Sequence, residues 1–161
     1  MTTKESYRHP EYLVETDWLE QHLADSALRL FDCTVKASLN PEADGKFPFI
    51  FDSGRAQFTK EHIPGAGFLD LLGELSDASS ALPFMMPSAR RFLDAMADAG
   101  VGNGVHIVLY STAEPIWAAR VWWMLHAHGV GNVAVLNGGW AKWSAEGRPV
   151  SSQACTYTPD H

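Results

Sequence analysis

Residues 105–136 constrain the fold more than any other part of the chain. His106–Tyr110 is a continuous apolar run, a short loop follows, residues 116–128 carry a helical pattern stopped by Gly129, and Val133–Leu136 is apolar again. An apolar run without polar alternation marks a strand covered on both faces. A helix between two such runs supplies the crossover that parallel strands require. The unit predicts an α/β domain with a central parallel sheet and helices on both sides.

The rest of the chain extends the alternation. Thr16 is expected to cap a short helix over residues 17–23, and residues 28–33 read as a strand. Gly67 to Asp70 read as a short strand after a turn at 62–66. Ser88 caps a helix over 89–99, with Phe92, Leu93, Met96 and Ala99 on one face and Gly100 ending it. A further helix starts at Gly138 and stops at Gly147. Residues 34–58 contain Pro41, Gly45, Pro48 and Gly54 and no sustained period, so they read as a long loop of the kind that often faces a partner. Residues 1–12 are expected to be a loose arm, 13–150 a single domain, and 151–161 a polar, linker-like tail.

Bulk properties exclude several classes of function. The 161 residues are enough for one domain with a real core, and a formal net charge of -7 argues against a nucleic-acid partner. No apolar run reaches the roughly 20 residues that cross a bilayer, and no hydrophobic stretch follows the N-terminal basic residues, so neither a membrane span nor a secretory signal is expected. Cys33 and Cys155 lie far apart without metal-like spacing, which points to free thiols in a reducing cytoplasm. No cofactor and no metal is expected. His126 and His128, two apart on a helix, do not share a face and make a poor metal pair.

Three motifs, HIPGA at 62–66, RVWWM at 120–124 and LNGGW at 136–140, stand in this order and together cover the domain. In these motifs the chain resembles the rhodanese fold, and most closely the N-terminal half of two-domain thiosulfate and 3-mercaptopyruvate sulfurtransferases. The resemblance spans residues 12–150 or so. It implies a partner domain in the same polypeptide, C-terminal to this one, that carries the reacting cysteine in a strand–loop–helix turn. The N-terminal half is usually a degenerate copy of that site. The matching position here is Ser111.

Sulfur transfer needs a thiolate that takes up a sulfane sulfur as a persulfide, and a serine hydroxyl can do neither. Ser111 also lacks a nucleophile elbow and obvious His and Asp partners, so the expectation is a loop-polar or capping role rather than catalysis. Around it, Thr112, Ala113, Glu114, Pro115 and Arg120 mark the degenerate site. Glu114 is expected to repel an anion and satisfy the helix dipole, Pro115 removes an N–H, and Ile116 and Trp117 are expected to fill the space. Arg120 reads either as an aid to an anion or as an ion pair or sheet-edge contact. Cys33 is the rival nucleophile, against a reading as a small buried hydrophobe. Of Trp122 and Trp123, either one is exposed at an interface or both are buried. Trp140 and Trp143 read as core, and His62 as bonded within its turn. These features imply a supporting, non-catalytic half of a sulfurtransferase, with a free-standing binding module docking through 34–58 as the alternative.

Overall fold

A computed structural model describes residues 7–43, 45 and 48–161. Its main sheet has five parallel strands in the order β1 (Leu13–Val14), β7 (Val133–Leu136), β6 (His106–Tyr110), β2 (Leu28–Asp32) and β5 (Gly67–Phe68). The helices are α1 (Thr16–His22), α2 (Arg55–Lys60), α3 (Ala89–Asp98), α4 (Ile116–Ala127) and α5 (Gly139–Ala145). Successive side chains of β6 feed different cores. Ile107 and Leu109 pack with Phe92 and Met96 of α3 and Val121 and Leu125 of α4. Val108 and Tyr110 pack with Leu19 of α1 and Trp143 of α5. Because both faces of the strand are covered, no polar alternation survives in its sequence.

Residues 34–58 depart from the expected loop. Val35–Leu39 (β3) and Phe49–Ser53 (β4) form an antiparallel hairpin outside the main sheet, and α2 follows. Only Val35 of the two strands is buried, so the segment carries no burial period to read. At its base the Gly54 N–H donates to the Thr34 carbonyl at 2.9 Å, and a Cβ on Gly54 would lie 2.5 Å from Thr34 Cβ. The backbones approach that closely only with glycine there. Residues 44, 46 and 47 of this segment lie outside the described ones.

The described residues near both ends, 7–12 and 151–161, pack against the domain, where a loose arm over 1–12 and a linker-like tail over 151–161 were expected. Residues 1–6 lie outside the described ones. Pro10–Tyr12 form a 3-10 turn, and the Tyr12 ring meets Trp122 at 4.9 Å and His126 at 5.5 Å before β1 joins the sheet edge. At the other end Ser151 bridges to His62, the Cys155 N–H donates to the Ala66 carbonyl, and the Asp160 N–H donates to the Ala97 carbonyl. Tyr157 packs edge-on to Phe31, its hydroxyl donates to the Gly65 carbonyl at 2.6 Å and accepts from the Leu30 N–H at 2.9 Å. A polar composition hid this docking, because backbone groups make most of these bonds.

Two helix expectations also change. Thr16 lies inside α1, and its buried hydroxyl donates to the Glu146 carboxylate at 2.5 Å instead of capping its own helix. Ser88 does cap α3, accepting the Arg91 N–H at 3.3 Å, but Leu93 is 46% exposed while Phe92 and Met96 are buried. Among the described residues no helix is long and apolar enough to cross a membrane.

Candidate functional site

The C-terminal ends of β2 and β6 lie side by side, with Asp32 opposite Tyr110 in the sheet register. The chain leaves β6 at Tyr110 and turns through residues 111–115 into α4, whose N-cap is Pro115. Ser111 is 5% exposed and its Oγ donates to the Glu114 carbonyl at 2.8 Å, closing the turn. The bond keeps the Ser111 hydroxyl within the turn's own backbone. Its carbonyl accepts the Trp140 N–H at 3.3 Å, and Gly139, with φ +54°, presses the start of α5 against it.

The contents of the loop differ in part from expectation. No side chain caps α4, so Glu114 engages the turn through its carbonyl while its side chain is exposed. Ile116 is 57% exposed and does not fill the turn, whereas Trp117 is buried against Phe51 and Phe84. A cavity of about 360 Å³ remains beside the loop, lined by Ser111, Ala113, Pro115, Asn137, Gly138 and Ala141 among others. Its walls are mostly apolar.

Arg120 finds its partners outside this turn. Its Nη2 donates to the Phe84 carbonyl at 2.8 Å, its guanidinium stacks 4.8 Å from the Trp123 ring, and its buried Nε has no partner among the described residues. The backbone of the 83–87 connection accepts this hydrogen bond. Trp122 is half-buried and donates to the Val133 carbonyl, while Trp123 is 48% exposed. Trp143 is fully buried, with Nε1 donating to the Pro149 carbonyl at 2.8 Å, and Trp140 is half-buried.

Cys33 is wholly buried, and burial, reinforced by the neighbouring Asp32 charge, pushes its thiol well above the usual cysteine range. A thiol held neutral is a poor nucleophile, so Cys33 behaves as the small hydrophobe. Cys155 is half-buried in the docked tail. His62 is buried, but its partners lie outside the 62–66 turn where they were expected: Nδ1 is 2.6 Å from the Phe58 carbonyl of α2 and Nε2 2.8 Å from the Gln153 carbonyl of the tail. The rings of His126 and His128 diverge: the first meets Tyr12 and Trp122, the second stacks on Phe92.

The most perturbed acidic group near the turn is one that residue patterns passed over. Asp32 is fully buried, and burial pushes its carboxyl up to about 6 against the pull of Thr34, His62 and Tyr110. Its Oδ1 accepts from the Thr34 N–H at 2.8 Å and the Thr34 hydroxyl at 2.5 Å. Thr34 Oγ1 in turn accepts the Thr112 N–H at 2.8 Å and lies 3.1 Å from the Thr112 hydroxyl. Asp32 Oδ2 has no hydrogen-bond partner among the described residues. A single acid ending an apolar strand was the visible signal, and it reads equally well as the strand's polar terminus.

The strand–turn–helix site on a five-stranded parallel sheet defines the class of protein. A family model for the rhodanese-like domain matches residues 15–146, and the chain belongs to that family. Within it, the chain is homologous to sulfurtransferases of two kinds. It is 33% identical over 147 residues to the thiosulfate sulfurtransferase of Cricetulus griseus, covering 88% of this chain and 46% of that one. It is 36% identical over 136 residues to the 3-mercaptopyruvate sulfurtransferase of Escherichia coli (strain K12), covering 84% of this chain and 44% of that one. The crystal structure of SseA from Escherichia coli, a 3-mercaptopyruvate sulfotransferase with the rhodanese fold, matches with a TM-score of 0.77 at 30% identity, over 93% of this chain and 53% of that one. The chain therefore spans about half the length of these relatives.

Proposed function

We propose that this domain is the non-catalytic, N-terminal half of a two-domain thiosulfate or 3-mercaptopyruvate sulfurtransferase. The observation that carries the reading is Ser111, at the end of β6, with its hydroxyl tied to the Glu114 carbonyl, while both cysteines stand elsewhere. No thiolate faces the turn. In this reading a second rhodanese-like domain in the same polypeptide takes the sulfane sulfur onto its own cysteine, and this domain walls one side of the cleft. Two features support a supporting role: the relatives are about twice as long, and Ile116, directly after the turn, is 57% exposed. No cofactor enters the scheme, and the free thiols suit a cytoplasmic protein.

The test is thiocyanate formation from thiosulfate and cyanide by this chain alone. The expected result is no turnover above background. Turnover that disappears in Cys33→Ser would overturn the proposal.

One observation favours a second reading, that of a free-standing module that binds another protein. The β3–β4 hairpin projects from the main sheet with Leu39 74% exposed and Phe49 and Ile50 each 44% exposed. The coding sequence beyond His161 separates the two readings. A cysteine-bearing rhodanese-like domain there supports the first, and a stop codon the second.

A further inference from the structure

We infer that Asp32 is a positioning residue for the Ser111 turn: through Thr34 its carboxylate holds the backbone of Thr112, and protonation loosens that hold. The geometry sets the direction of every bond in the chain. Thr34 Oγ1 has one proton to give, and it gives it to Asp32 Oδ1. Its lone pairs are then free for the Thr112 N–H and the Thr112 hydroxyl. The turn is thereby joined to β2 across the sheet edge by a relay that ends on one carboxylate oxygen. Charge-assisted hydrogen bonds are roughly twice as strong as neutral ones, so loss of the charge weakens the whole relay.

Groups on each neighbouring element bear on that charge. His62, from the turn before β5, favours the charged carboxylate, and the Tyr110 hydroxyl on β6 also faces it. Cys33, next on the chain, and Tyr110 are both pushed up by burial and stay protonated, so neither adds a competing charge. Burial outweighs the favourable contacts and leaves the carboxyl titrating at about 6, inside the range a cell can reach. The inference concerns the shape of the turn and holds whether or not the chain reacts with a sulfur donor.

The experiment is a nuclear magnetic resonance titration of the full chain between about pH 4.5 and about pH 8, following the Asp32 side-chain carbon and the Thr112 amide. The expected result is one shared midpoint near 6 for both signals. Thr34→Ser, which keeps the hydroxyl, should preserve the Thr112 titration. Thr34→Val, which keeps the shape, should abolish it. Asp32→Asn should also abolish it, and if that variant does not fold, the wild-type midpoints and the Thr34 pair still decide. A Thr112 signal indifferent to the Asp32 midpoint, or an unchanged titration in Thr34→Val, overturns the inference.

Discussion

Asp32 and Ser111 make opposite uses of burial. Asp32 is raised from 3.8 to about 6, so between those values the folded protein binds a proton that the unfolded chain has released. Its contribution to stability is therefore greatest below about pH 4 and is lost as pH rises through 6. The shift of about two units corresponds to roughly 3 kcal/mol, already net of the Thr34 bonds that oppose the burial. Asp32→Asn is expected to stabilise the domain near pH 7, by about 1–2 kcal/mol, and to change it little near pH 4. Urea unfolding at both values checks the sign. A carboxylate retained at such a cost fits a group kept for the shape of the turn. Ser111 is buried with its bond already made inside the turn. Ser111→Cys is expected to leave the chain without sulfurtransferase turnover in the thiocyanate assay. A thiol there would lie against the Glu114 carbonyl oxygen, which disfavours the thiolate.

Among the elements, α5 and the tail are anchored by contacts outside their own residues. Trp143 fills the core between α5 and the sheet and donates to the Pro149 carbonyl. Trp143→Ala is expected to cost about 3–5 kcal/mol in chemical unfolding, from the cavity and the orphaned carbonyl. The tail is held more lightly. Tyr157→Phe removes a hydroxyl that serves both the Leu30 N–H and the Gly65 carbonyl. The expected cost is about 1–2 kcal/mol, with faster amide exchange at Leu30 and across the tail as the local readout. The hairpin β3–β4 stands apart from both cores except at Val35 and Phe51. Its conformation rests on its own pairing and on the Gly54 crossing at its base.

For the molecule as a whole, the two cysteines report on folding. Cys33 lies in the core and Cys155 in the docked tail, so a thiol reagent is expected to label Cys155 in the native state and Cys33 only on unfolding. Labelling by intact mass at increasing urea checks the order. Rapid native labelling of Cys33 would contradict its burial. The two cores share one parallel sheet, so loss of either one exposes the face of β6 that it covers.

The parallel sheet, the helices over 89–98 and 116–127 and the turn holding Ser111 were all legible in the chain, because apolar runs, caps and glycine stops act on neighbours a few residues apart. Reading alone could not find the hairpin, whose mostly exposed strands pair with each other and leave no burial period. Nor could it find the docked tail, which is held largely by backbone atoms that every composition shares. The relay behind Ser111 joins Thr34 to Thr112 across 78 positions, and no local pattern carries a contact of that separation. The charge of Asp32 belongs to the same category. A carboxyl is raised by the desolvation around it, and that environment exists only once β2, β6 and the turn before β5 have packed.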